Sequence, residues 1–218
     1  MWANYREGKS MSLVIGVISN QFAIVCGESK VTYENNTSAD DFKKVFKLNS
    51  DTIMGITGNL RALKRFVGDF FYIKDNRFYL KDLPNVRYKD IKEKLDTNFD
   101  DILKNNISEK FFVSILGWND GFCIDSYFYD SESESLCERQ HTVLDGENDF
   151  KFVCMEFTKD KHYKNFLNIV NTSRDSNILQ IKNAFKSTID LGIKFDNTIN
   201  SNCMFESIRK SDIIKKFN

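Results

Sequence analysis

The sequence predicts an α+β fold: two antiparallel sheets stacked face to face with helices on their outer faces, a four-layer αββα sandwich. Three observations predict it. Hairpin-linked runs rich in Val and Ile bracket two pairs of helically spaced segments, in the order strands, helix pair, strands, helix pair, strand. The run Ala23-Ile24-Val25-Cys26 is apolar without alternation, which suits a strand covered on both faces. At 218 residues the chain is long enough for one large domain with a substantial core.

Taken in order, Met1 to Met11 is short and polar and reads as an N-terminal arm or pro-segment (1–11); residues 12–218 form the domain. Ser12 to Ser19 and Phe22 to Val31 are strand-like, with Asn20-Gln21 as a tight turn. Tyr33 to Asp41 is polar and turn-like. Lys44 to Leu48 and Thr52 to Thr57 form a second hairpin around Asn49-Ser50-Asp51. From Asn59 the period changes: Leu60, Leu63, Phe66, Val67, Phe70 and Phe71 recur at helical spacing and predict a helix that stops near Asn76. A second helix runs from about Lys89 to Asn105, with Ile91, Leu95, Phe99, Ile102 and Leu103 on one face.

Strands return at Phe111 to Trp118 and Phe122 to Tyr129, joined by the turn signal Asn119-Asp120-Gly121. Asp130 to Ser135 is an acidic, serine-rich turn, and short strands follow near Leu136 to Thr142 and Phe150 to Met155. Helices are expected at Lys159 to Val170 and Asn177 to Leu191, and a last strand at Cys203 to Arg209. No repeat at solenoid periods and no low-complexity linker interrupts this order.

Composition excludes several classes. The 31 basic and 31 acidic residues cancel, so nothing in the balance points to a nucleic-acid partner, which usually leaves a basic excess. No run of about 18 apolar residues is present to cross a bilayer, and the first residues do not form a signal peptide, so no membrane partner is expected. The five cysteines, Cys26, Cys123, Cys137, Cys154 and Cys203, are widely spaced and odd in number; they read as reduced thiols of a cytoplasmic protein. His141 and His162 have no ligand partners nearby in sequence, so neither a metal site, a cofactor nor a Ser-His-Asp triad is expected.

The chemistry concentrates between Ser12 and Gly58. A serine attacks a carbonyl only when something accepts its proton. Without a nearby histidine, one solution is the α-amino group of the nucleophile itself, when that residue is the first of the chain. Such an amine has a pKa of about 8 and serves as a base near neutrality. A neighbouring lysine lowers it further by like-charge repulsion, and a carboxylate holds the lysine charged and in place. A backbone N–H beside a glycine stabilises the oxyanion. Ser12, Glu28, Lys44 and Gly58 supply those residue types in that order.

The same stretch closely resembles the start of the proteasome β-subunit and HslV family of N-terminal-nucleophile hydrolases. That family opens with Thr or Ser, then an apolar strand with a glycine, then a strand ending Ala-Asp-x-Arg, then Lys-Lys-apolar, then apolar-x-Gly. Here these read Ser12, Val14-Ile15-Gly16-Val17, Gly27-Glu28-Ser29-Lys30, Lys43-Lys44-Val45 and Ile56-Thr57-Gly58, with no gap. Ile115-Leu116-Gly117-Trp118 resembles the family's Gly-aromatic strand. The resemblance implies the αββα fold, Ser12 as nucleophile, Lys44 as catalytic lysine, Glu28 in the aspartate place and Gly58 as the oxyanion glycine. Val31, Phe42, Ile56 and Leu60 fall where the family lines its first specificity pocket, implying an apolar substrate-binding site. It also implies a peptide or protein substrate, a homo-oligomeric ring and an unfoldase partner.

The sequence departs from the family in five places. Glu28 is one methylene longer than aspartate and matches many non-catalytic α-subunits. Leu13 replaces a usually small residue. The Ser-Gly-Ser-Gly segment has no counterpart, Val153 to Phe157 reading VCMEF, and the Asp before a Ser-Gly-Gly after the last helix is missing, with Asp190 the nearest candidate. Ser12 follows eleven residues, so an active chain requires either initiation at Met11 with methionine removal or cleavage between Met11 and Ser12. Two functions are therefore carried forward: a peptidase or amide hydrolase using unmasked Ser12, and a non-catalytic scaffold subunit of the same fold.

Overall fold

The computed structural model describes residues 13–32, 38–75, 77–83, 86–104, 110–130, 135–144, 150–156, 162–171, 177–194 and 199–217. Ser12, the 1–11 arm and the centre of the acidic 130–135 turn lie outside them.

The first hairpin joins β1 (Leu13–Ile18) to β2 (Phe22–Glu28). Ser19 closes the turn: its Oγ accepts from the N–H of Gln21 and of Phe22, both at 3.2 Å. The second strand ends at Glu28, three residues earlier than expected, and the chain then makes a small ladder of β3 (Val31–Thr32) and β4 (Ser38–Ala39). β5 (Val45–Lys47) and β6 (Thr52–Gly58) follow as expected. The helix α1 (Leu60–Val67) is capped by Asn59, whose side chain accepts from the N–H of Arg61 and Ala62.

This helix does not continue to Asn76. It ends at Val67, and β7 (Phe71–Lys74) and β8 (Arg77–Leu80) form a hairpin instead. Phe70 and Phe71 fit the helical spacing, but both bury against strands: the Phe71 ring sits 4.8 Å from that of Phe46. Asp75 at the turn has φ of 50°, a conformation that Asp tolerates better than most residues.

Next come α2 (Tyr88–Lys104), β9 (Phe111–Trp118), β10 (Gly121–Asp130), β11 (Ser135–Leu144) and β12 (Lys151–Glu156). Asp120, φ 59°, makes the β9–β10 turn signalled by Asn119-Asp120-Gly121. Then follow α3 (His162–Asn171), α4 (Ile178–Gly192), β13 (Cys203–Arg209) and α5 (Lys210–Phe217). Asn177 and Gln180 make a reciprocal capping box at the start of α4. The last helix was not expected; it packs Ile213 into the core between the sheets.

The strands form a four-stranded sheet, β12-β1-β2-β13, and a five-stranded sheet, β11-β10-β9-β6-β5; every pairing within them is antiparallel. Alternation along β1 sorts its residues. Val14 and Ile18 enter the core between the sheets, while Leu13, Ile15 and Val17 enter a second core against Phe166 of α3 and Phe185 of α4. A third core joins Met54, Ile56 and Phe111 of the larger sheet to Phe66 of α1 and Leu95 of α2. Three apolar interfaces between four layers are the αββα sandwich that the sequence predicts.

Candidate active site

Antiparallel pairing brings strand ends from both sheets to one rim. In the smaller sheet Val14 pairs with Gly27, Leu13 with Glu156, and Glu28 with Cys203. In the larger sheet the Ile56 N–H donates to the Lys44 carbonyl at 2.8 Å, and Gly58 pairs with Phe111 two residues further along. The sheets nearly touch here: a methyl group built on Gly27 would stand 3.6 Å from Lys44 Cβ and 3.1 Å from Val45 Cγ1.

At this rim Glu28 and Lys44 form a buried ion pair, their side chains 0% and 3% exposed. The Lys44 ammonium donates to Glu28 Oε1 and to the Lys30 carbonyl. Glu28 Oε2 accepts from the Lys30 N–H at 2.6 Å. The carboxylate also accepts a hydrogen bond from the N–H of Leu13, the residue that follows Ser12 in sequence.

Burial dominates the electrostatics of both groups. It pushes the Glu28 carboxyl above its usual range, against the opposing pull of the Lys44 charge and the hydrogen bonds from Lys44, Lys30 and Leu13. It pulls the Lys44 ammonium below its usual range, against the carboxylate. A lysine whose pKa is lowered by desolvation is a better proton-moving group near neutrality than an exposed one.

Gly58 has φ of +117°, and a methyl group there would stand 2.5 Å from Phe111 Cα and 2.6 Å from the Lys110 carbonyl oxygen. Only glycine fits this strand-to-helix junction. The Asn59 N–H donates to the Lys110 carbonyl at 2.8 Å, which fixes the junction against β9.

The other expected residues take different places. Phe42 and Ile56 are buried in the core under α1 and α2, and Val31 and Leu60 pack against that same cluster, half-buried. The Phe42 ring meets the Phe78 ring of the β7–β8 hairpin edge-on at 6.1 Å, so a ring from the unexpected hairpin lies against this group. Asp190 is exposed on α4. Its negative charge acts on Cys203, the cross-strand neighbour of Glu28.

Residues not singled out in the sequence also build the rim. Asn200 accepts from the Ser29 N–H at 3.4 Å and donates to the Asp40 carbonyl at 3.2 Å; Asn202 donates to that carbonyl at 2.9 Å. These contacts tie the segment before β13 to those flanking β3 and β4. The only sequence signal was a polar turn, Asn200-Ser201-Asn202, placed directly before a strand.

Cys203, half-buried beside this network, has its thiol pushed up to about 11, by burial first and then by Asp190 and Glu28. Its thiolate fraction at pH 8 is therefore about a hundredfold below that of an ordinary thiol, and alkylation follows the thiolate. Mass-resolved labelling with iodoacetamide is expected to leave Cys203 largely unmodified at pH 8, with its rate still rising above pH 10. Rapid labelling at pH 8 would contradict this placement.

A sandwich with three apolar interfaces, a buried Lys–Glu pair at the sheet rim and a positive-φ glycine beside it defines a class, that of the proteasome-like N-terminal-nucleophile hydrolase fold. The family that the chain resembles is the proteasome subunit family, whose model matches residues 10–79. Among solved structures, HslV from Trypanosoma brucei is 10% identical and matches with a TM-score of 0.52, covering 90% of this chain and 99% of that one. Anbu, an ancestral β-subunit, from Yersinia bercovieri is 11% identical with a TM-score of 0.61, covering 90% of this chain and 81% of that one. Anbu from Pseudomonas aeruginosa, described as a helical assembly, is 14% identical with a TM-score of 0.60, covering 91% and 82%. At these identities the structures share the fold. A further similarity, 27% identity over 144 residues, is to endonuclease MutS2 from Streptococcus sanguinis; it takes in 66% of this chain, which spans only 17% of that protein's length.

Proposed function

We propose that the chain is a proteasome-like peptidase or amide hydrolase whose nucleophile is Ser12 once Ser12 is the first residue. The observation that carries this reading is the buried Glu28–Lys44 pair with the Leu13 N–H bound to its carboxylate, because it sets a charged lysine next to the start of β1. In this reading the α-amino group of Ser12 takes the Oγ proton as Oγ attacks the substrate carbonyl. Lys44 lowers the pKa of that amine, Glu28 holds Lys44, and the Gly58 N–H receives the oxyanion. The tetrahedral intermediate collapses to an acyl ester on Ser12, and the leaving amine departs with the proton. Water, deprotonated by the same α-amino group, then releases the acid. Asp190, exposed on α4, enters this reading as the counterpart of the family's aspartate after the last helix. Val31 and Leu60, half-buried against the cluster that holds Phe42 and Ile56, favour an apolar substrate side chain.

The test compares a chain whose first residue is Ser12, verified by intact mass, with the same chain carrying Ser12→Ala and with the Met1 chain. Fluorogenic peptides with apolar residues before the scissile bond are the substrates. The Ser12 chain is expected to turn over at least about 100-fold faster than either control, as nucleophile and oxyanion effects of this size require. Equal rates in all three would sink the proposal.

A non-catalytic scaffold subunit is the second reading. It is favoured by the way Lys44, Lys30 and Leu13 together satisfy the Glu28 carboxylate, as in a structural ion pair. It predicts that Ser12→Ala changes nothing but stability. Either reading extends to a homo-oligomeric assembly in the cytoplasm, supplied with unfolded protein by an unfoldase partner, and light scattering on the purified chain measures the assembly.

A further inference from the structure

Away from the Glu28–Lys44 rim, all four residues of β8, Arg77 to Leu80, border one open cavity of about 280 Å³. Successive residues of a strand point to opposite faces. A strand that lines a cavity with every one of its residues therefore borders it with its edge. One edge of β8 pairs with β7; among the described residues no strand pairs with the other. Across the cavity stand Asp41, Lys43, Phe46 and Lys47, from β5 and the segment leading into it. β5 is itself the outermost strand of the five-stranded sheet, paired on one side only among the described residues. The cavity is a slot between two open strand edges.

Its charge is positive. Arg77 and Asp41 offset one another, with Nη2 2.6 Å from Oδ2. Lys43 and Lys47 are both exposed; Lys43 lies 5.2 Å over the Phe46 ring and is partly offset by Glu206, 3.8 Å away and outside the lining, and Lys47 supplies the remaining positive charge. The exposed Tyr79 stacks on Tyr72 at 5.2 Å and 10°, a rigid aromatic flank beside the slot. Ligand pockets for drug-sized molecules usually run to about 300–1,000 Å³ and enclose their ligand; this slot is smaller and open. Open strand edges supply main-chain donors and acceptors in a row, which suits an added strand; lysines on such an edge oppose pairing with most strands, and an acidic strand offsets their charge.

We propose that the slot between β5 and β8 binds an extended acidic segment of a partner protein as an added strand. The inference does not depend on turnover, so a catalytically dead chain tests it equally well. The probe is a fluorescein-labelled nonapeptide of alternating Glu and Val, read by fluorescence anisotropy on the full chain. Saturable binding is expected, weakening at least about tenfold in the Lys43→Glu/Lys47→Glu variant and falling with added salt. A peptide with Pro at its central position lacks the N–H needed for the ladder and is expected to lose binding in the unaltered chain. No binding of the Glu/Val peptide overturns the proposal and leaves Lys43 and Lys47 as guards against edge pairing. Equal binding by the proline peptide and the double variant overturns it as well. Self-association that the double variant abolishes, without peptide binding, assigns the slot to a second copy and rejects the partner segment.

Discussion

Glu28→Gln is expected to destabilise the chain by about 3–5 kcal/mol, the usual cost of removing one member of a buried ion pair. In a domain of this size that lowers the melting temperature by roughly 6–20 °C. The loss arises because Lys44, its side chain 3% exposed, is left buried without a counter-charge beside it. Lys44→Met leaves Glu28 in the mirror situation and is expected to cost a similar amount. The double variant Glu28→Gln/Lys44→Met removes both charges and is expected to recover most of the loss. The two single variants also tilt oppositely with pH. In Glu28→Gln the lysine pKa is lower folded than unfolded, so the stability it contributes is present above the unfolded value and lost as pH falls through the folded one. In Lys44→Met the carboxyl pKa is higher folded than unfolded, so its contribution is present at low pH and lost as pH rises through the folded value. Chemical denaturation of the three variants from pH 5 to pH 9 checks both points. Single variants within about 1 kcal/mol of the parent would show that the pair is not buried as described.

Gly58→Ala is the second large effect. A side chain at φ +117° costs about 1–3 kcal/mol of backbone strain, and the 2.5 Å approach to Phe111 Cα adds an overpacking cost of about 1–3 kcal/mol. The sum, about 2–6 kcal/mol, corresponds to a fall in melting temperature of roughly 4–24 °C. The contact is with main chain, which cannot swing aside as a flexible side chain would. If Gly58 also receives the oxyanion, turnover by the Ser12 chain falls further than stability accounts for, measured well below the melting point. A variant that melts with the parent would show that the junction relaxes freely and that the Gly58 backbone is not fixed against β9.

Much of this architecture was legible in the sequence. The β1–β2 hairpin, the β9–β10 turn, α2, α4 and β13 fall within a few residues of where periodicity and turn residues place them, because each carries a local period or turn signal that its packing does not override. The Ser12-to-Gly58 spacing pointed to the rim where Glu28 and Lys44 meet. The segment after α1 was misread because Phe70 and Phe71 satisfy a helical period while the following Tyr-Ile-Lys-Asp-Asn-Arg-Phe-Tyr alternates as a hairpin; the aromatic residues serve either pattern. α5 was passed over because its eight residues follow a strand directly, leaving no loop to announce it.

The sequence by itself determined the layer order, the principal hairpins and the residue types offered at the rim, because these follow from local period, turn chemistry and spacing. The tertiary structure alone decided which of those residues meet. Glu28 pairs with Lys44 because two sheets stack, and Ser29 meets Asn200, 171 positions away, because β13 returns beside β2. The placement of Phe78 against Phe42 and the basic slot between β5 and β8 likewise depend on where a hairpin lands. Local pattern records only that a residue is buried or exposed; its partner is set by how whole sheets and hairpins pack, which no window of sequence contains.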